Sequence, residues 1–326
     1  MNIFLTGGTG FIGSHVALEL LGRGHRVTIL ARNPAKVPAL AKIPNVEIVP
    51  GGITDRQLLE KLVQGKDAVV HVALNYTKKS GWEVLLDDTL PSVYLSDAAA
   101  GAGVRHFIYT SSTAANDSLY TGGGDSPEEK IKLCTTATKQ RPATFYGATK
   151  AASENFLVAQ SYLSPMRINI IRPGYTFGNP ALPGGSTQAD TRFRDIARAA
   201  VANEPVTLTK NDGTQFIFAG DLARLYTAVL ESDVNRKTYY GLGGQFIAWS
   251  AIAQEAVRRC GSRSAVILED KGWSADPLKW DVSDMKRDFG LEFDAWRKIL
   301  EHLDYYIALE RGSPVPPGGR KPAEAR

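Results

Sequence analysis

Short apolar runs and helical patterns alternate along the first half of the chain. Residues 2–6 (Asn-Ile-Phe-Leu-Thr) form an apolar run that stops at glycines. A helical pattern with Val16, Leu18, Leu20 and Leu21 follows and ends at Gly22 and Gly24. Residues 26–30 then read as a second strand. Strand, helix and strand within about 30 residues make a βαβ unit. The rhythm continues, with strands expected at 46–49, 68–72, 106–110 and 167–172 and helices at 55–64, 87–102 and 145–162. Such alternation predicts a parallel sheet with helices on both faces.

After Gly178 the rhythm changes. Residues 179–188 form a Pro/Gly-rich loop, and helices near 191–202, 221–230, 250–259 and 293–309 are separated by short strands. The expected architecture is an α/β protein with two parts. A doubly wound parallel sheet spans 1–178, and a smaller mixed α/β substrate lobe spans 179–310, with segments near 215–245 returning to the main domain. The lobe would sit over the carboxyl ends of the strands. Residues 311–326, rich in Pro, Gly and charge, read as a disordered tail.

Composition narrows the function classes. Hydrophobic residues make up 43% of 326 and charged residues 22%, as in a folded globular protein. The net charge of +4 is small and its basic residues are spread out, which argues against a nucleic-acid partner. Cys134 and Cys260 lie far apart without CxxC spacing, so no metal site or disulfide framework is expected. They read as reduced thiols of a cytoplasmic protein. No apolar run approaches ~18 residues, so no membrane span is expected, and a strand starting at Asn2 leaves no room for a signal peptide. The five histidines show no metal-ligand spacing, and His71, on an apolar strand, reads as a hydrogen-bonded core residue. Trp273, Trp280 and Trp296 read as lobe core.

The first turn, Thr6-Gly7-Gly8-Thr9-Gly10-Phe11-Ile12-Gly13, holds glycines at 7, 10 and 13 between a strand and a helix. A tight turn, a close backbone approach to a pyrophosphate and close helix–strand packing each need a residue without Cβ. The helix N-terminus then offers N–H groups to phosphates. That places a Rossmann-type dinucleotide site on Gly7, Thr9, Gly10, Phe11, Ile12 and Gly13. A carboxylate ending the second strand would bind the ribose 2′-hydroxyl. Ala31-Arg32-Asn33 stands there instead, with Lys36 beyond. A guanidinium suits a 2′-phosphate, so NADP(H) is expected over NAD(H).

Tyr146-Gly-Ala-Thr-Lys150 puts a phenol and an ammonium on one helix face. A nearby ammonium and an oxidised nicotinamide would favour the phenolate, which makes the tyrosine a usable acid–base. The preceding strand ends in Tyr109-Thr-Ser-Ser-Thr113, which supplies hydroxyls to orient a substrate oxygen.

With these motifs the chain resembles the extended short-chain dehydrogenase/reductase family, which includes nucleotide-sugar epimerases, dehydratases and carbonyl reductases. The resemblance covers residues 1–305 and adds Asp67-Ala-Val-Val-His-Val-Ala73, Arg172-Pro-Gly-Tyr-Thr-Phe-Gly178 and Asp221-Leu-Ala223 to the motifs above. It implies that Ser112 hydrogen-bonds the reacting oxygen, with Ser111 and Thr113 as fallbacks, and that Tyr146 is the acid–base. It implies that Lys150 bridges the ribose hydroxyls and lowers the tyrosine pKa. Val72, Ala73 and Leu74 would line the cofactor, Ile53 would lie beside the adenine, and Pro173, Gly174 and Thr176 beside the nicotinamide. Helices 87–102 and 145–162 would pair across a dimer axis.

The chain departs from the family pattern at several places. Gly51-Gly52-Ile53 lacks the Asp that reaches the adenine amine. Asp88 replaces an Asn that supports the active-site lysine, and its charge would alter the field at the tyrosine. Thr214 stands where sugar-nucleotide members carry a diphosphate-binding Arg, although Arg192 or Arg194 could supply that contact from elsewhere. Thr113-Ala-Ala115 lacks the acid of dehydratases, and the segment between Ser112 and Tyr146 is long, with Gly122-Gly-Gly124 within it. The expectation is an NADP(H)-dependent reductase of a small or moderately apolar carbonyl compound. A sugar-nucleotide epimerase and a non-catalytic NADP(H)-sensing protein are the alternatives. Specificity would lie in residues 114–144, 177–194 and the lobe.

Overall fold

The structure is a computed structural model and describes residues 1–75, 80–119 and 131–314, apart from the side chain of Lys36. The first half runs β1 (Asn2–Thr6), α1 (Phe11–Gly22), β2 (Arg26–Ala31), β3 (Val46–Pro50), α2 (Arg56–Val63) and β4 (Ala68–His71). Then α3 (Gly81–Val84) passes through a π turn (Leu85–Thr89) into α4 (Leu90–Gly101), followed by β5 (His106–Thr110). Next come a 3₁₀ segment (Thr113–Leu119), β6 (Leu133–Cys134), α5 (Phe145–Leu163), β7 (Arg167–Pro173) and β8 (Tyr175–Phe177). The rest is α6 (Arg192–Ala202), β9 (Val206–Thr209), β10 (Gly213–Phe218), α7 (Ala219–Glu231), β11 (Thr238–Gly241), β12 (Phe246–Ala248) and α8 (Trp249–Cys260). Last are β13 (Val266–Glu269), β14 (Lys279–Trp280), α9 (Ser283–Phe289) and α10 (Ala295–Glu310).

Seven strands form one sheet in the order β11-β7-β5-β4-β1-β2-β3, and every neighbouring pair is parallel. The inner strands β4 and β5 are buried along their whole length, so both faces of the sheet are covered. The chain reverses direction across the sheet between β1 and β4. A crevice opens there at the carboxyl ends of the strands, the position at which doubly wound sheets take ligands.

The lobe has its own core, in which Phe177, Phe193, Phe216 and Trp249 meet edge to face or tilted, with ring centroids 5.0–6.1 Å apart. Helix α10 closes it with Ile299, His302, Leu303, Tyr306 and Ile307, a helical stripe. Strand β11 joins the main sheet and α7 packs on α1.

Two expectations need correction. The helix expected at 87–102 begins at Gly81 and widens into the π turn before continuing. Pro91 lacks the N–H that the carbonyl of Asp87 would take, and Ser92 Oγ donates to the carbonyl of Asp88 at 2.7 Å, so the regular ladder opens there. Trp273 is 52% exposed and is not lobe core, whereas Trp280 is buried and Trp296 packs partly against the core. The expected tail lies mostly outside the described residues, as do Gly122-Gly-Gly124.

Candidate active site

A cavity of about 620 Å³ opens at the β1/β4 switch point. Gly7, Thr9, Gly10, Phe11, Ile12 and Gly13 form one wall. Gly7 has φ +73°, and a Cβ on Gly13 would stand 2.0 Å from the Gly7 carbonyl oxygen, so the turn closes only with glycines. Among the described residues no side chain caps α1, so its first turn presents N–H groups to the cavity. This wall fits a diphosphate.

Val72, Ala73 and Leu74 line the middle, with Ile53 on the far side. Asp55, two residues beyond, is taken up as the N-cap of α2, accepting from the Leu58 amide at 3.1 Å. At the outer end stand Arg32, Asn33 and Asn75, and Arg32 donates to Asn75 Oδ1 at 3.2 Å. Lys36 ends a short 3₁₀ turn (Pro34–Lys36), but its side chain lies outside the described residues. At the inner end stand Ser111, Ser112, Tyr146, Lys150, Pro173, Gly174 and Thr176. Arg32 and Lys150 are the charged side chains on the described lining and both are cationic, which suits a polyanionic ligand.

The sequence places the two halves of the inner end by local chemistry. Thr144 caps α5, accepting from the Gly147 amide at 3.0 Å, and Asp117 accepts from both the Ala143 amide and the Thr144 hydroxyl. A Cβ on Gly147 would stand 2.1 Å from the Ala114 carbonyl oxygen, so glycine lets the helix start lie directly on the turn that carries Ser112. Ser112 Oγ accepts from the Ala114 amide at 3.1 Å, which aims its hydroxyl and leaves its hydrogen to donate. Ser111 also lines the cavity and its buried Oγ has no partner among the described residues, whereas Thr113 begins the 3₁₀ segment and is not on the described lining.

Lys150 is 3% exposed, donates to Tyr109 Oη at 3.3 Å and lies 3.5 Å from Asp88 Oδ2. Burial works against its charge, but Tyr109, Asp88 and Tyr146 outweigh it and hold the ammonium above the usual lysine range. His71 is a core residue with a defined tautomer. Ser92 spends its hydrogen on the Asp88 carbonyl, so it accepts from His71 Nε2 at 2.9 Å. His71 Nδ1 then accepts from Thr6 Oγ1 at 2.6 Å, and Thr6 accepts from the Ala73 amide. Burial pushes this imidazole down to about 3, so it stays neutral.

Tyr109, Asp117, Thr144 and Gly147 were not singled out from the sequence. Tyr109 carries no motif that separates it from an ordinary strand tyrosine. The Asp117–Thr144 clamp spans 27 residues of chain, beyond any local spacing rule.

The lobe settles the two arginines. Arg192 pairs with Asp190 at 2.7 Å and Asp212 at 3.5 Å and lies over the Trp249 ring at 4.3 Å. Arg194 pairs with Glu310 at 2.7 Å, and Thr214 sits in β10 paired with Ile247.

A doubly wound sheet, a glycine-walled helix start at its switch point and a Tyr/Lys pair beside it define an enzyme of the short-chain dehydrogenase/reductase class that works with a nicotinamide dinucleotide. The sequence profile of the NAD dependent epimerase/dehydratase family matches residues 3–243, and the chain belongs to that family. It is 25% identical to a Mycobacterium tuberculosis protein named 3 beta-hydroxysteroid dehydrogenase/Delta 5-->4-isomerase, over 94% of this chain and 90% of that one. It is 28% identical to the Dictyostelium discoideum sterol-4-alpha-carboxylate 3-dehydrogenase, decarboxylating, over 55% of this chain and 54% of that one. In fold it resembles the UDP-glucuronic acid 4-epimerase of Bacillus cereus in complex with NAD, with a TM-score of 0.77, 19% identity, and coverage of 95% of this chain and 100% of the other.

Proposed function

We propose that the chain is an NADP(H)-dependent oxidoreductase that reduces the carbonyl of an apolar substrate, or oxidises the matching alcohol. Ser112, Tyr146 and Lys150 are its catalytic groups. The observation that carries this reading is their convergence on one end of a cavity whose other end carries Arg32 and no carboxylate among its described lining. When bound, NADPH supplies the hydride that the carbonyl carbon receives. Ser112 donates its free hydroxyl hydrogen to the carbonyl oxygen and polarises it. Tyr146 delivers a proton to that oxygen as general acid, and takes it back when an alcohol is oxidised. Lys150 holds its charge beside the phenol. Arg32, held at the cavity mouth by Asn75, would pair with the 2′-phosphate.

The names of the Mycobacterium and Dictyostelium relatives favour an oxygen on a steroid-like ring as the reacting group. The lobe supports an apolar substrate over a nucleotide sugar. Arg192 and Arg194 are each committed to carboxylates, so neither supplies a ready guanidinium for a diphosphate. The reading includes a cytoplasmic homodimer. Trp82, Leu86, Leu90, Phe145, Phe156 and Leu163 are exposed along α3, α4, the π turn and α5, which pack side by side.

The test is a panel of 3-keto steroids, simple ketones and UDP-sugars, followed by NADPH and NADH absorbance. The expected result is stoichiometric loss of NADPH with an apolar ketone. Interconversion of a UDP-sugar without net NADPH loss would replace this reading with the epimerase.

A further inference from the structure

The segment that leaves β8 is tied to two helices from different parts of the fold. Thr176 of β8 lines the cavity, and Asn179 opens the loop that runs on to α6. Between them Gly178 has φ +146°, and a Cβ there would stand 2.9 Å from the Phe218 ring, so glycine lets the chain pass close to that ring. Asn179 then accepts twice. His15 of α1 has Nε2 3.1 Å from its backbone carbonyl oxygen, and His302 of α10 has Nδ1 2.6 Å from its side-chain Oδ1. Both oxygens can accept and neither can donate, so each ring nitrogen carries the hydrogen. Burial lowers His15 to about 4 and His302 to about 3, so each ring is neutral near pH 7 and has one hydrogen to give. Asn179 takes both.

Each histidine also packs against a residue of the cavity wall or its neighbour. His15 meets Phe11, which is on the lining, edge to face at 5.7 Å, and Phe218 at 5.9 Å. His302 meets Phe177, next to Thr176, at 5.6 Å, and Phe193 at 5.0 Å. Leu182, three residues beyond Asn179, packs against the core that contains Val16, Ala17 and Leu20 of α1. At the far end of the loop Asp190 pairs with Arg192 at 2.7 Å. Between these anchors Gln188 reaches the cavity lining.

We propose that Asn179 is a positioning residue: it latches α10 of the lobe to the cofactor helix α1 and holds the loop that carries Gln188 against the cavity before any ligand binds. A ligand then meets a formed wall and spends no binding energy on ordering the loop. The latch stands apart from the choice of substrate, while its effect on a ketone rests on the oxidoreductase reading above.

The test is hydrogen–deuterium exchange, read by mass spectrometry on the whole protein, in the native chain, Asn179→Ala, His302→Phe and the double variant. His302→Phe keeps an aromatic ring in the lobe core and removes the donor. Without cofactor, each single variant is expected to exchange about tenfold faster than the native chain across 179–191 and 295–310, because a buried hydrogen bond is lost. Peptides covering β4 and β5 are expected to keep the native rate. The double variant is expected to exchange no faster than the single ones, because both changes break the same bond. Saturating cofactor (NADPH or NADH, whichever binds more tightly) touches both walls and is expected to slow the two segments again. Native rates in 179–191 and 295–310, an equal rise in β4 and β5, additive effects in the double variant, or no slowing by cofactor would each overturn the proposal. If Asn179→Ala fails to fold, His302→Phe carries the same comparison. With a ketone that the native chain accepts, Asn179→Ala is expected to raise KM for the ketone about tenfold with kcat nearly unchanged, and an unchanged KM would overturn the part played in substrate binding. A panel in which no ketone turns over would overturn the oxidoreductase reading and leave the exchange result standing.

Discussion

Arg32 donates to Asn75 Oδ1 at the mouth of the cavity, a neutral partner that a phosphate would outcompete. A charged hydrogen bond lost on Arg32→Ala is worth about 1.5–3 kcal/mol, roughly 10- to 100-fold in NADPH affinity. NADH affinity should change little. Fluorescence titration with both cofactors checks this, and equal losses for the two would remove Arg32 from phosphate recognition. At this scale the sequence was most legible where chemistry depends on local spacing. Tyr146 and Lys150 share a helix face by being four apart, and the glycines around Gly10 are contiguous with their helix. Asp88 could be flagged as a departure, but its partner Thr149 is 61 residues away, so the bond itself was not readable.

At the scale of elements, the site depends on how closely α5 approaches the turn after β5. Gly147→Ala would drive a Cβ into the Ala114 carbonyl at 2.1 Å, a backbone obstacle that cannot rotate away. The helix start must shift, which should cost about 1–3 kcal/mol of stability and separate Tyr146 from Ser112. A fall of tenfold or more in kcat, with KM for NADPH nearly unchanged, is the expected outcome of steady-state kinetics. Retained kcat would mean that this contact does not set the geometry of the pair. Strand and helix positions were read closely because apolar periodicity is strong in a doubly wound sheet. The extension of the helix back to Gly81 was missed because Pro91 and the polar Asp87-Asp88 pair look like a start, although they lie within a widened turn. Trp273 was misplaced for a different reason: a large aromatic side chain favours burial on average, but its surroundings leave it 52% exposed.

At the scale of the whole molecule, the five buried histidines link stability to pH, four of them most strongly. Burial lowers His15 and His106 to about 4, and His71 and His302 to about 3. In the unfolded chain they titrate near 6.5, so between about pH 6.5 and 4 the unfolded state binds more protons. Stability should therefore fall on acidification across that window, by about 1.4 kcal/mol per pH unit for each histidine. Denaturant midpoints at pH 7, 6 and 5 check the slope, and a flat profile would contradict the burial of these rings. The apolar strip along α4 and α5 predicts a particle of twice the chain mass by light scattering. The parallel sheet was legible from the alternation of strands and helices before Gly178. The return of β11 to the main sheet was expected only in outline, because strand order depends on long-range pairing. The central claim is that this architecture brings Tyr146 to a carbonyl oxygen beside bound NADPH. Single-turnover NADPH oxidation by native protein and Tyr146→Phe, both saturated with cofactor and with an accepted ketone, tests it most directly. The account predicts equal NADPH binding and a loss of transfer rate of about 10²-fold or more in Tyr146→Phe, and a variant that oxidises NADPH at the native rate would contradict it.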